Sequence, residues 1–100
     1  MRSVDIEQFL EVLEEGAAAF DVRTEAQHQR DGLPGTRVLR LEEVQAGHLP
    51  DVPKEKPVYL ICERGQVSEL AGLYLEAAGF GEVYNVAGGM IAWRSRGEDK

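Results

Sequence analysis

The sequence holds one cysteine, one tryptophan and two histidines in one hundred residues, and far fewer positive than negative charges. A lone thiol, Cys62, excludes an internal disulfide, which suits a reducing compartment and makes a cytoplasmic protein the expectation. No apolar run approaches the roughly 20 residues that a membrane-spanning helix requires, so no membrane partner is expected. The N-terminal stretch "MRSVDIEQFLEVLEE" turns acidic at once, unlike a cleavable signal peptide. A net charge of −7 removes the basic face that non-specific binding to nucleic acid or anionic lipid requires. It also means that an anionic substrate gains nothing from the global field, so local backbone dipoles and one or two cations must attract it. His28 and His48 lack the spacing of metal ligands, so surface or structural roles are expected of them. Repeats, low-complexity tracts and linkers are also missing, which predicts one domain over residues 1–100, with 97–100 as a frayed tail.

What is present is an alternation of strand and helix signals. A short strand at Arg2–Val4 precedes Asp5, an N-cap with Gln8 three residues on; Ile6, Phe9, Leu10 and Leu13 follow at helical spacing up to Gly16. "AAAFDV" (17–22) reads as a buried strand, and Thr24–Gln27 as a second capping box opening a short helix. "GLPGT" (32–36) is turn chemistry, "RVLRL" (37–41) a strand, "EEVQAG" (42–47) one or two helical turns, and "HLPDVPKEK" (48–56) a loop. "PVYLI" (57–61) is the clearest strand. From Gln66 a long helix is expected to bury a face of Val67, Leu70, Ala71, Tyr74 and Ala78 before stopping at Gly79. "EVYNV" (82–86) is a further strand, and Gly88 and Gly89 enter a last helix that packs Met90 and Trp93 in the core. Continuous apolar strands imply a sheet covered on both faces, hence a three-layer α/β/α fold with a mainly parallel sheet of about five strands. Ligands of such sheets bind beyond the carboxyl ends of the strands, where Cys62 lies.

The segment "CERGQVS" (62–68) must turn from strand to helix within a few residues. Gly65 allows a positive φ and a close approach of backbone to ligand. A loop of this kind points several N–H groups into one concavity, and the following helix adds its own unpaired N–H groups and positive dipole end. A sulfur placed there finds its anionic, nucleophilic form favoured. The bland alternative is a cysteine that merely packs as a small hydrophobe at a strand end.

Several stretches, taken in order, resemble the rhodanese-like domains, a sulfurtransferase family that carries sulfur as a cysteine persulfide. The family pattern of Cys, two residues, Gly, one residue, Arg, Ser is matched by Cys62, Gly65 and Ser68, with Val67 where arginine is usual. "FDVR" (20–23) is similar to the family's D-V-R at the end of a central strand. "GLPGT" is similar to its H-I-P-G-A turn, with Gly32 in the histidine position. "EAAGFGEVYNVAGGMIAW" (76–93) resembles its Ala-Gly-Phe, Val-Tyr, Gly-Gly and Trp sequence, so the likeness spans about residues 3–97. The resemblance implies that Cys62 is the catalytic nucleophile, taking sulfur from a small anionic donor such as thiosulfate and passing it to cyanide in vitro or to a thiol or protein acceptor, with no metal and no organic cofactor. It further implies that backbone N–H groups of Glu63, Arg64, Gly65, Gln66, Val67 and Ser68 cradle the transferred sulfur, with the Ser68 hydroxyl as an added donor.

The departures shape the expectation. Without arginine at 67, and with Glu63 adding negative charge, Arg64 and Arg23 are the candidate cations for the donor, each against the alternative of a solvated surface side chain. Weak thiosulfate use, or preference for a less charged or protein-bound donor, follows. Asp21 is expected to fix loop backbone, and the chain to be a monomer or weak homodimer. Two other functions stay open. A non-catalytic binding or regulatory module is one. A cysteine-dependent phosphatase or arsenate reductase is the other, although that loop needs Cys, five residues and Arg, where this chain has Ser68.

Overall fold

A computed structural model of the chain describes residues 1–96. The tail expected at 97–100 lies outside the described residues. Five strands, β1 (Arg2–Val4), β2 (Ala18–Asp21), β3 (Arg37–Val38), β4 (Val58–Ile61) and β5 (Val83–Val86), alternate with five helices. The helices are α1 (Ile6–Glu14), α2 (Glu25–Asp31), α3 (Leu41–Gln45), α4 (Gln66–Ala77) and α5 (Gly89–Ser95). The strands form one sheet in the order β1-β5-β4-β2-β3, with every pair parallel. The carboxyl ends of all five therefore lie on one edge of the sheet, and β4 is the central strand.

Two of the helix starts are fixed by capping boxes, as their sequences predict. Asp5 Oδ1 accepts from the Gln8 amide at 2.8 Å, and Thr24 Oγ1 accepts from the Gln27 amide at 3.1 Å. Alternate residues of each strand then feed two cores. On one face Phe20, Val58, Leu60 and Cys62 pack with Val44 of α3 and with Ala71 and Leu75 of α4. On the other, Ala19, Ile61 and Val86 pack with Ile6 and Phe9 of α1 and Met90 of α5, while Trp93 lies half-buried against them. Helices on both faces make the three layers.

The phase of α4 differs from expectation. Its buried face is Ser68, Ala71, Gly72 and Leu75, whereas Val67, Leu70, Leu73 and Tyr74 are exposed. Apolar residues cover more than half of the circumference of this helix, a wider arc than is buried, so hydrophobicity alone does not fix its phase. Two other constraints do. Ser68 is drawn inward by the preceding loop, and small Ala71 and Gly72 let α4 sit close on the sheet, with Val83 beside Gly72.

Candidate active site

Strand β4 ends at Ile61, and Cys62 follows with its side chain on the α4 face of the sheet, 2% exposed. The chain then has three residues in which to start α4. Gly65 makes the turn by adopting φ 95°, which a residue with a Cβ rarely takes, and stands as the N-cap of α4. It has no side chain with which to cap, and the sulfur takes that place. The amides of Gly65 and Ser68 donate to Cys62 Sγ at 3.0 and 3.3 Å. Ser68 is the third residue of the helix, so one of the first-turn N–H groups that a helix leaves orphaned ends on the thiol.

The carbonyls of the loop are turned the other way. Cys62 O and Glu63 O accept from the Met90 and Ile91 amides at 2.8 and 3.1 Å, so the start of α5 consumes them. Gly65 O accepts from Asn85 Nδ2 at 2.9 Å. Asn85 points inward from β5, and its Oδ1 accepts the Ser68 hydroxyl at 2.5 Å. Ser68 Oγ lies 3.2 Å from Cys62 Sγ. The hydroxyl expected to donate to sulfur thus gives its hydrogen to Asn85. With carbonyls drawn outward and amides inward, the loop presents positive dipole ends to one atom.

A cavity of about 300 Å³ opens over the sulfur, lined by Cys62, Glu63, Arg64, Gln66 and Val67 of the loop, Val22 and Arg23 after β2, Thr24 and Gln27 of the α2 capping box, and Arg40 before α3. All the loop positions singled out in the sequence except Gly65 and Ser68 line it. Those two lie beneath, against the sulfur. Arg40, Thr24 and Gln27 were not anticipated. Arg40 is carried in because β3 is only two residues long, so that α3 begins where more strand was expected.

The arginines are not equivalent. Arg23 is buried, and its guanidinium bonds Asp21 through Nε and Nη2, Asp31 through Nη1 at 2.9 Å and Glu63 at 3.4 Å. Burial opposes its charge, but the bonds to Asp21 and Asp31 outweigh this and hold the proton more tightly than usual. Arg23 is therefore paired with protein carboxylates at the cavity edge, neither a solvated surface side chain nor an unpaired cation. Asp21 accepts the Arg23 amide at 3.0 Å, fixing backbone at the end of β2. Glu63 is not a bare negative charge on the rim either. Arg94 of α5, unnoticed in the sequence, bonds both Glu63 and Asp31. The Arg94 hydrogen bond is the main reason that both carboxyls lie below their ordinary pKa. Arg64 is exposed and enters no ion pair among the described residues. Among the described residues Arg40 pairs only with exposed Glu42.

The remaining candidates are structural. His28 Nε2 lies 3.1 and 3.0 Å from Thr36 O and Oγ1, tying α2 to the turn after it. Its ring occupies the space into which a Cβ on Gly32 would project. Among the described residues no group of three or more His, Cys, Asp or Glu side chains is placed to hold a metal ion. No described helix is long and apolar enough to cross a membrane.

The profile of a family described as Rhodanese-like domain matches residues 5–96. A thiosulfate sulfurtransferase GlpE of Pseudomonas savastanoi pv. phaseolicola is 32% identical over 94 residues, covering 94% of this chain and 88% of that protein. A thiosulfate sulfurtransferase GlpE of Pseudoalteromonas translucida is 29% identical over 100 residues, covering 99% and 94%. Among solved structures, a rhodanese homolog from the extremely thermophilic bacterium Thermus thermophilus superposes with a TM-score of 0.72 at 36% identity, covering 91% of this chain and 99% of that one.

Proposed function

This chain belongs to the rhodanese-like family and is a sulfurtransferase, and we propose that it carries sulfur as a persulfide on Cys62. The supporting observation is the sulfur itself, held by the Gly65 and Ser68 amides at the floor of an open cavity. In the first half-reaction the Cys62 thiolate attacks the outer sulfur of thiosulfate. A Cys62 S–S bond forms, the donor's S–S bond breaks, and sulfite leaves with the electron pair. In the second, cyanide or an acceptor thiolate attacks the terminal sulfur, and the Cys62 thiolate is regenerated as thiocyanate or a new persulfide departs. The terminal sulfur carries the negative charge between these steps. The Gln66 and Val67 amides have no acceptor among the described residues, and both residues line the cavity in which it would sit. Donors already in position need no rearrangement as that charge develops, which is where such a site lowers the barrier.

Arg64 supplies the unpaired positive charge for an anionic donor, with Arg40 beside it but shared with exposed Glu42, since Arg23 is consumed by buried and half-buried carboxylates. Both reach the cavity from its solvent side, so their attraction is screened and thiosulfate is held weakly. A thiosulfate KM in the tens of micromolar overturns that last statement.

The persulfide is tested by mixing the protein with thiosulfate, measuring intact mass, then adding cyanide and measuring thiocyanate. A gain of one sulfur atom, discharged by cyanide and absent in Cys62→Ser, is expected. Unchanged mass in the wild-type protein overturns the proposal, and turnover of an aryl phosphate by the same protein would favour the phosphatase reading instead.

A further inference from the structure

Buried hydrogen-bond partners around the sulfur leave Ser68 little freedom. Gly65 O only accepts, so the Asn85 atom 2.9 Å from it must be the amide nitrogen, and the carboxamide has one orientation. Asn85 Oδ1 then faces Ser68 Oγ at 2.5 Å and has no hydrogen to give. The single hydroxyl hydrogen of Ser68 lies in that contact. What Ser68 shows to Cys62 Sγ, 3.2 Å away, is a lone pair.

We propose that Asn85 is a positioning residue that acts through Ser68: by claiming the hydroxyl hydrogen it makes Ser68 an acceptor toward Cys62, so the side-chain partner of the sulfur favours its neutral form while the two amides favour its anionic form. The Cys62 S–H bond donates to Ser68 Oγ, and the chain of bonds ends at an amide oxygen that passes no proton on. When the thiol ionises, its proton therefore leaves through the cavity, and the Ser68 hydroxyl must either face the anion with a lone pair or abandon Asn85. This has a consequence that rests on the persulfide reading above. In a persulfide the inner sulfur is neutral and the charge sits on the outer one. Because the persulfide is neutral at Sγ, it escapes the opposition of the Ser68 lone pair, so this one contact favours the loaded cysteine over the bare thiolate.

The arrangement predicts opposite signs for one substitution in two backgrounds. Alkylation of Cys62 by iodoacetamide reads thiolate content without any sulfur transfer, so the result is independent of whether a persulfide forms. Arg23, Arg40, Glu63 and Arg64, the charged groups that share the cavity, are unchanged throughout and cancel in the comparison. Ser68→Ala is expected to alkylate about threefold faster than wild type at pH 7, the scale of one neutral hydrogen bond, and at the same rate at pH 10. Asn85→Ala, which frees the hydroxyl to turn toward sulfur, is also expected to be faster at pH 7. Adding Ser68→Ala to Asn85→Ala should then slow the reaction, because in that background the hydroxyl is a donor to the anion. A lost contact that merely loosens the loop has the same sign in both backgrounds. Ser68→Ala alkylating at the wild-type rate or slower at pH 7, or faster at both pH values, overturns the proposal, as does an unchanged sign in the double variant. Should Asn85→Ala fail to melt cooperatively, the Ser68→Ala measurement decides alone.

Discussion

Two turns stand side by side at the carboxyl edge of the sheet, and they are built alike. One leads from β4 into α4 and the other from β5 into α5. Each helix is capped by a glycine in the left-handed region, Gly65 at φ 95° and Gly88 at φ 77°, and neither cap makes a side-chain hydrogen bond. Both helices thus start with orphaned amides. The α5 turn spends its amides on the protein, Met90 N–H on Cys62 O and Ile91 N–H on Glu63 O. The α4 turn spends two, those of Gly65 and Ser68, on a thiol, and its Gln66 and Val67 amides have no acceptor among the described residues. One turn is thereby left with amides to offer a ligand, and the other is its support. An outward amide is useful to a ligand only if the neighbouring carbonyls are satisfied elsewhere, and the second turn satisfies them.

The largest effect is expected where the two turns touch. A Cβ on Gly89 would overlap Cys62 O and come within 2.7 Å of Glu63 O, at a residue whose φ is already 54°. Backbone cannot swing aside as a side chain does, so Gly89→Ala must push the 62–63 segment away from α5. Thiocyanate formation is expected to fall by about two orders of magnitude, the consequence of moving a nucleophile by roughly 1 Å. Gly65→Ala is the milder partner. Its Cβ would meet Val86 O at 3.4 Å and Gly88 N at 3.5 Å, ordinary contacts, and the cost is about 1–2 kcal/mol of left-handed strain, or roughly tenfold in rate if the loop shifts to relieve it. Rates and crystal structures of the two variants check this. A Gly89→Ala protein as active as Gly65→Ala would mean that the α5 turn does not hold the loop.

The two turns differed in how far they were legible. Cys62 and Gly65 announce a tight strand-to-helix turn by residue type alone, and the glycine pair at 88–89 announces the second. That one turn serves the other was not legible, because main-chain hydrogen bonds between segments so far apart in the chain leave no mark on side-chain identity. Asn85 was hidden for a related reason: in "VYNV" it sits at an ordinary strand position, and only the parallel pairing of β4 with β5 brings it beneath the loop. The ion network was not legible either. Arg23 and Glu63 were seen as opposing influences on a substrate, yet they are partners of each other and of Asp31 and Arg94, drawn together from α2 and α5. The sheet itself was legible, since continuous apolar strands separated by helices admit few other arrangements. The phase of α4 was not, because the apolar arc of that helix is wider than the face it buries and a serine held by the loop decided which side turned in.

A smaller effect should appear when the α4 turn is made more cationic. Val67 is 45% exposed and lines the cavity where the family pattern has arginine. Val67→Arg adds a charge beside Arg64 without disturbing the core, so the thiosulfate KM is expected to drop by about two- to fivefold, the yield of one solvent-screened contact. The change should be confined to anionic donors and should shrink as ionic strength rises. An equal gain for an uncharged sulfur donor would trace the effect to loop geometry instead of charge.

The smallest effect concerns the tether between the turns, Glu63 just after the cysteine and Arg94 on α5. Each side chain is 36% exposed, so solvent screens the pair and its contribution is expected to be below about 1 kcal/mol. Its pH dependence is nevertheless distinctive. The Glu63 and Asp31 carboxyls are held below their ordinary values of 4.5 and 3.8 chiefly by the Arg94 hydrogen bond. A depressed carboxylate contributes stability that is fully present above its unfolded pKa and disappears as pH falls through the folded one. Wild type should therefore melt a few degrees above Arg94→Met at pH 7, a gap of the size that about 1 kcal/mol produces in a domain this small, and the two curves should converge as pH falls below about 4. Sulfur transfer at pH 7 should weaken only slightly in the variant, since the Met90 and Ile91 amides still hold the loop carbonyls. A melting gap that persists unchanged in acid would assign the role of Arg94 to the packing of its aliphatic stem on α5, and the two turns would then be joined by main-chain bonds alone.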